Sequence, residues 1–113
     1  MSSPSFTNAV LAMTAKDYDQ PVTVTYMECS TCHITLDDNN LLESDDADAN
    51  GELCFDTLRY GWLIYVPDKD TTDRLPHSDA FKTILHFARE KGFNVLNLDR
   101  DATSYSQFPT FDW

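Results

Sequence analysis

Neither lysine nor arginine occurs between Asp17 and Leu58, although that stretch carries Asp17, Asp19, Glu28, Asp37, Asp38, Glu43, Asp45, Asp46, Asp48, Glu52 and Asp56. The remaining residues hold eight acids against eight bases, so the formal charge of −11 comes wholly from this one region. A one-signed field of that kind attracts cationic surfaces and repels nucleic acid and anionic membranes, so neither is expected as a direct partner. No apolar run approaches the roughly 18 residues of a membrane span. Met1-Ser-Ser-Pro4 lacks the basic and apolar regions of a secretion signal, and the expected compartment is the cytoplasm. Cysteine is scarce and odd in number (Cys29, Cys32, Cys54), which argues against a disulfide framework and for reduced thiols. Glycine is scarcer still. Gly51, Gly61 and Gly92 each suit a turn or a helix end, and no glycine-rich phosphate loop can be built from them.

What is present is enough for a core. With 113 residues, 42% apolar and 12% aromatic, the chain fits one folded domain. Residues 1–21 read as an N-terminal segment, a short helix or an edge strand, with an apolar run from Ala9 to Met13 and a stop at Pro21. The single α+β domain is expected over 22–113. Val22 to Cys29 alternates at period two, which predicts a strand with Val22, Val24, Tyr26 and Glu28 on one face. Thr35 followed by Leu36-Asp37-Asp38 predicts an N-cap and a short helix over Leu36 to Glu43.

Ser44 to Gly51 reads as a polar loop, Glu52 to Leu58 and Trp62 to Val66 as a hairpin, and Pro67 to Pro76 as a charged loop. Ser78 caps a helix whose Phe81, Ile84, Leu85 and Ala88 recur at helical spacing, and Gly92 ends it. Phe93 to Asp99 completes the set as a last strand. The order strand, helix, strand, strand, helix, strand is the split βαβ arrangement, so the expected fold is a ferredoxin-like α+β sandwich, an antiparallel sheet with helices on one face.

Two motifs invite metal chemistry. Asp46-Ala-Asp48-Ala-Asn50-Gly51 matches the first half of a calcium loop, but the twelfth position is Thr57 where a bidentate Glu closes such loops. Cys29-Ser-Thr-Cys32-His33 matches half of a zinc site, for which Cys54 is a further thiol, with no second paired motif to complete it. Small buried cysteines ending a strand and a solvated acidic turn account for the same residues without a metal. No cofactor is therefore expected. No nucleophile-base pair and no isolated carboxylate pair stands out, so the chain is read as non-enzymatic.

Cys29-Ser-Thr-Cys-His-Ile-Thr35 with Leu41-Leu42, Gly61-Trp62 to Val66-Pro67, Ser78, Phe81, Ala88, Gly92, Leu96-Asn-Leu98-Asp99-Arg-Asp101 and the terminal Phe108-Pro-Thr-Phe-Asp-Trp113 together carry a family likeness. Over about residues 28 to 113 the chain resembles a domain-of-unknown-function family of small proteins from plasmids, prophages and phage-derived islands, often near antirestriction genes. The resemblance implies no catalytic residue, and alanine is the usual family residue at Cys32, which counts against a required ligand there. The expected function is an acidic inhibitor from a mobile element, acting in the manner of an anti-CRISPR or antirestriction protein, DNA mimicry included. Its partner would be a basic protein or ribonucleoprotein surface of a host defence complex, bound through Asp37, Asp38, Glu43, Asp45, Asp46, Asp48 and Glu52. The alternative is a small metal-binding module, with calcium at Asp46, Asp48 and Asn50 or zinc at Cys29, Cys32 and Cys54.

Overall fold

The computed structural model of the protein describes residues 24–113, so the expectation for residues 1–21 lies outside the described residues. Strand β1 spans Tyr26–Ser30, and its alternation buries Met27 and Cys29 while Tyr26 and Glu28 face out. A 3-10 turn, Thr31–His33, follows it. Helix α1 is Leu36–Glu43, with the bounds that its capping residues predict. Thr35 Oγ1 accepts from Asp38 N–H and Asp38 Oδ2 accepts from Thr35 N–H, a reciprocal capping box.

β2 (Phe55–Leu58) and β3 (Gly61–Tyr65) form the expected hairpin around Arg59-Tyr60. Helix α3, Asp79–Glu90, starts at Ser78, whose Oγ accepts from Phe81 N–H, and it buries Phe81, Ile84, Leu85 and Ala88. β4 is Val95–Asp99. β1 begins at Tyr26, leaving out the Val24 and Thr25 that the expected Val22 to Cys29 strand included, and one helix was not expected: α2, Lys69–Arg74, lies inside the expected Pro67–Pro76 loop. It has no apolar period to reveal it. Asp68 caps it through Thr71 N–H at 2.8 Å, and the fully buried Thr72 turns its hydroxyl back onto Asp68 O.

The fold is α+β as expected, and the order of strands and helices is the predicted one with α2 added. The sheet, ordered β1-β4-β3-β2, is mixed rather than wholly antiparallel. β1 runs parallel to β4 (Tyr26 opposite Val95, Ser30 opposite Asp99), whereas β3 is antiparallel to both β4 and β2, so the expected antiparallel sheet is corrected to a mixed one. The reason is burial. β4 hides Val95, Leu96 and Leu98 and takes a central place with both edges hydrogen-bonded, while the more polar β1 and β2 take the rims. Met27, Cys29, Trp62, Ile64, Leu96 and Leu98 join α3, Leu42 and Phe108 in one apolar cluster.

The registers bring Ser30, Asp99, Gly61 and Leu58 to the same end of the sheet. There a Cβ on Gly61 would stand 1.7 Å from Leu98 O, so only glycine lets β3 begin against the backbone of β4. That close approach fixes the Arg59-Tyr60 turn beside the start of the Arg100 loop, where Arg100 N–H donates to Tyr60 O at 3.1 Å.

Candidate functional site

Of the seven acids expected to meet a partner, the structure leaves six on the surface and takes one away. Asp37, Glu43, Asp45, Asp46, Asp48 and Glu52 are exposed along α1 and the loop after it, and only Glu52 among them pairs with a described cation, Arg74 at 3.1 Å. Asp38 is only 1% exposed. Its carboxylate accepts from Thr35 N–H, Ser78 N–H and Ser78 Oγ–H, which ties the start of α1 to the start of α3. Being on the inner side of the first turn, it complements two helix N-termini and leaves the candidate surface.

The calcium and zinc sets are not assembled. Asn50 is buried, donating from Nδ2 to Leu41 O at 2.6 Å and accepting at Oδ1 from His77 Nε2 at 2.7 Å, so its side chain serves the loop rather than converging with Asp46 and Asp48. Asp46 Oδ1 instead accepts from Asp48 N–H at 3.0 Å, an ordinary Asx turn. Cys29 is buried on β1 and Cys54 is exposed beside Tyr65, toward the opposite edge of the sheet. Burial, with a smaller contribution from Cys32, pushes the Cys29 thiol up to about 12, which makes it a packing group and not a nucleophile. Among the described residues no three His, Cys, Asp or Glu side chains are grouped to hold a metal ion.

Two segments of the family likeness, Cys29 to Thr35 and Phe108 to Trp113, meet each other. Fully buried His33 accepts at Nε2 from Tyr105 N–H (2.8 Å), which places its proton on Nδ1 to donate to Pro109 O (2.7 Å). Phe111 N–H donates to Cys32 O at 2.8 Å and Trp113 Nε1–H to Ile34 O at 2.9 Å. Phe108 is buried edge-on to His33, Phe87 and Tyr105. The 3-10 turn and the tail thus form a clasp, and His33 is its pin.

Beside the clasp opens a cleft of about 1050 Å³ between α1, the β2–β3 turn and the tail. Its walls carry both signs, Glu43 and Asp45 on the lip formed by α1 and the loop after it and Arg59 and Arg100 on the lip formed by the β2–β3 turn and the end of β4, and Phe111 and Trp113 of the tail also line it. Sequence reasoning missed Arg59 and Arg100. Both follow strand ends, but only the β3–β4 register shows that those ends are neighbours.

No curated protein and no solved structure matches the chain. The family of unknown function DUF5983, C-terminal domain, has a profile that matches residues 26–113, which takes in β1, the clasp, the cleft and the tail. The chain belongs to that family.

Proposed function

We propose that this protein is a non-enzymatic acidic inhibitor from a mobile element, occupying a basic, nucleic-acid-binding surface of a bacterial defence complex of the restriction or CRISPR kind. The observation that carries the reading is the run of exposed carboxylates, Asp37, Glu43, Asp45, Asp46, Asp48 and Glu52, on a helix and loop without a single Lys or Arg of their own. Grooves that bind DNA hold Lys and Arg spaced for phosphates, and a folded surface of carboxylates meets the same cations without offering a strand to pair or cut. Arginine binds such carboxylates with two parallel hydrogen bonds, and the long-range field steers the encounter most strongly at low salt. The likeness to small plasmid and prophage proteins near antirestriction genes points in the same direction.

A pull-down of the tagged protein from cells that contain restriction and CRISPR systems tests it. The expected result is recovery of a Lys- and Arg-rich nucleic-acid-handling complex, lost when Asp45, Asp46 and Asp48 are all changed to Lys. Failure to recover any such complex, together with indifference to that charge reversal, sinks the reading. A thermal melt with EDTA, calcium or zinc separates it from a metal module, whose melting temperature would move by several degrees.

A further inference from the structure

Two arginines and a tyrosine stand at one lip of the cleft in an arrangement that the acidic face does not account for. The Arg59 guanidinium lies 5.4 Å, and that of Arg100 4.8 Å, from the centroid of the Tyr60 ring. Sharing one ring, they are separated by no more than about the screening length, roughly 10 Å in 0.1 M salt, and so repel each other. Among the described residues neither reaches a carboxylate, whereas Lys69 and Arg74 each do. The backbone holds the pair together through Gly61 and the Arg100 N–H to Tyr60 O bond. In a chain with a charge of −11, two neighbouring bases that pair with no acid among the described residues make a local anion site.

We propose that the cleft binds a nucleoside phosphate, with its phosphate on Arg59 and Arg100 and its base against Phe111 and Trp113. Paired guanidinium forks match phosphate oxygens, and the cleft is of the size that small-molecule sites occupy. Trp113 is 48% exposed, which leaves ring surface free for a flat base to stack on. At the other lip Glu43 and Asn39 supply acceptors for the amino group of adenine, cytosine or guanine. A basic peptide is repelled by the arginines, and a dicarboxylate has no ring to set against Phe111 and Trp113. A long nucleic-acid strand meets the net negative charge, so the ligand is a free nucleotide rather than a polymer. This inference stands apart from the acidic-face reading, since Arg59, Arg100, Phe111 and Trp113 carry it and only Glu43 is common to both.

The test is calorimetric titration of the full chain with AMP, ADP, CMP and GMP, with adenosine and inorganic pyrophosphate as fragments, and with a single-stranded deoxyadenosine oligonucleotide. At least one nucleotide should bind more tightly than either fragment by about tenfold, and more weakly as salt rises. Arg59→Ala with Arg100→Ala should lose that affinity by about tenfold or more while melting temperature and circular dichroism stay unchanged; Lys69→Ala should bind as the parent does. The proposal is overturned if no nucleotide gives heat at millimolar concentration, if the double arginine variant binds as the parent does, or if the oligonucleotide binds more tightly than every mononucleotide.

Discussion

The Asp38 carboxylate accepts from Thr35 N–H at 3.0 Å and from Ser78 N–H at 2.8 Å while almost wholly out of water. Its removal strands a half-buried hydroxyl and two helix-start amides, each of which had a carboxylate partner. Asp38→Ala is therefore expected to cost about 3 kcal/mol in urea unfolding, with Asp37→Ala, on the exposed side of the same turn, close to neutral. Equal losses for the two would show that Asp38 does no more than its exposed neighbour. Gly61 offers a second residue-scale test. A methyl there meets Leu98 O and must push β3 from β4, so Gly61→Ala should destabilise by about 3 kcal/mol or prevent folding, read by the same measurement. Neither residue advertised this in the chain: Asp38 looked like one more acid in an acidic run, and Gly61 like one more turn.

At the scale of elements, the 3-10 turn and the tail are one unit held through His33. Phe108 fills the space between His33, Phe87 and Tyr105, with ring centroids 5.4 to 6.0 Å away. Phe108→Ala opens a cavity under the clasp and is expected to cost about 3–4 kcal/mol. It should also free the last residues to proteolysis by carboxypeptidase, which the Phe111 and Trp113 hydrogen bonds should slow in the parent. Rapid trimming of both proteins would contradict a docked tail. Helices α1 and α3 were legible because a capping residue and a periodic or acidic first turn are written within a few residues. Helix α2 was not, since its six residues carry no apolar stripe and one buried threonine is all it contributes to the interior.

For the whole molecule, the uncompensated charge sets the response to salt and His77 sets the response to acid. Raising NaCl from about 10 to 150 mM shortens the screening length from roughly 30 to 8 Å, which relieves repulsion among the exposed carboxylates, and the melting temperature should rise by about 3 °C. A fall would mean that ion pairs outweigh self-repulsion. Burial, joined by the nearby positive Lys82 and opposed by Asp38, holds the His77 imidazole below its ordinary value of 6.5. Its Nε2–H serves Asn50 and its buried Nδ1 has no partner among the described residues, so a second proton would have no acceptor there.

Between the lowered folded value and 6.5 the unfolded chain binds that proton and the folded one does not. The contribution of His77 is thus full above pH 6.5 and is lost as the pH falls below it. His77→Phe, which keeps an aromatic ring against Phe81, should flatten the fall in stability just below pH 6.5, measured by urea unfolding. An unchanged slope would rule His77 out as its source. Asp68, held low mainly by the Thr71 backbone, and Asp73, held low by Lys69 and His86, act in a lower window, losing their contribution only as the pH falls below 3.8.

By itself the sequence determined the α+β class, the succession of strands and helices, the two well-capped helices and the concentration of negative charge. Caps, periodicity and composition act within a few residues, and a reader of the chain has those residues in view. Tertiary structure alone decided the rest. β1 took β4 as a parallel neighbour, Asp38 was drawn to Ser78 forty residues away, and Asn50 turned to His77. His33 found Tyr105 at a separation of 72, and Arg59 and Arg100 closed on one tyrosine. A period-two strand does not encode its partner, and a polar side chain does not encode whether it will face water or a distant amide. Those outcomes depend on which buried surfaces meet, and that is settled only when the whole chain packs.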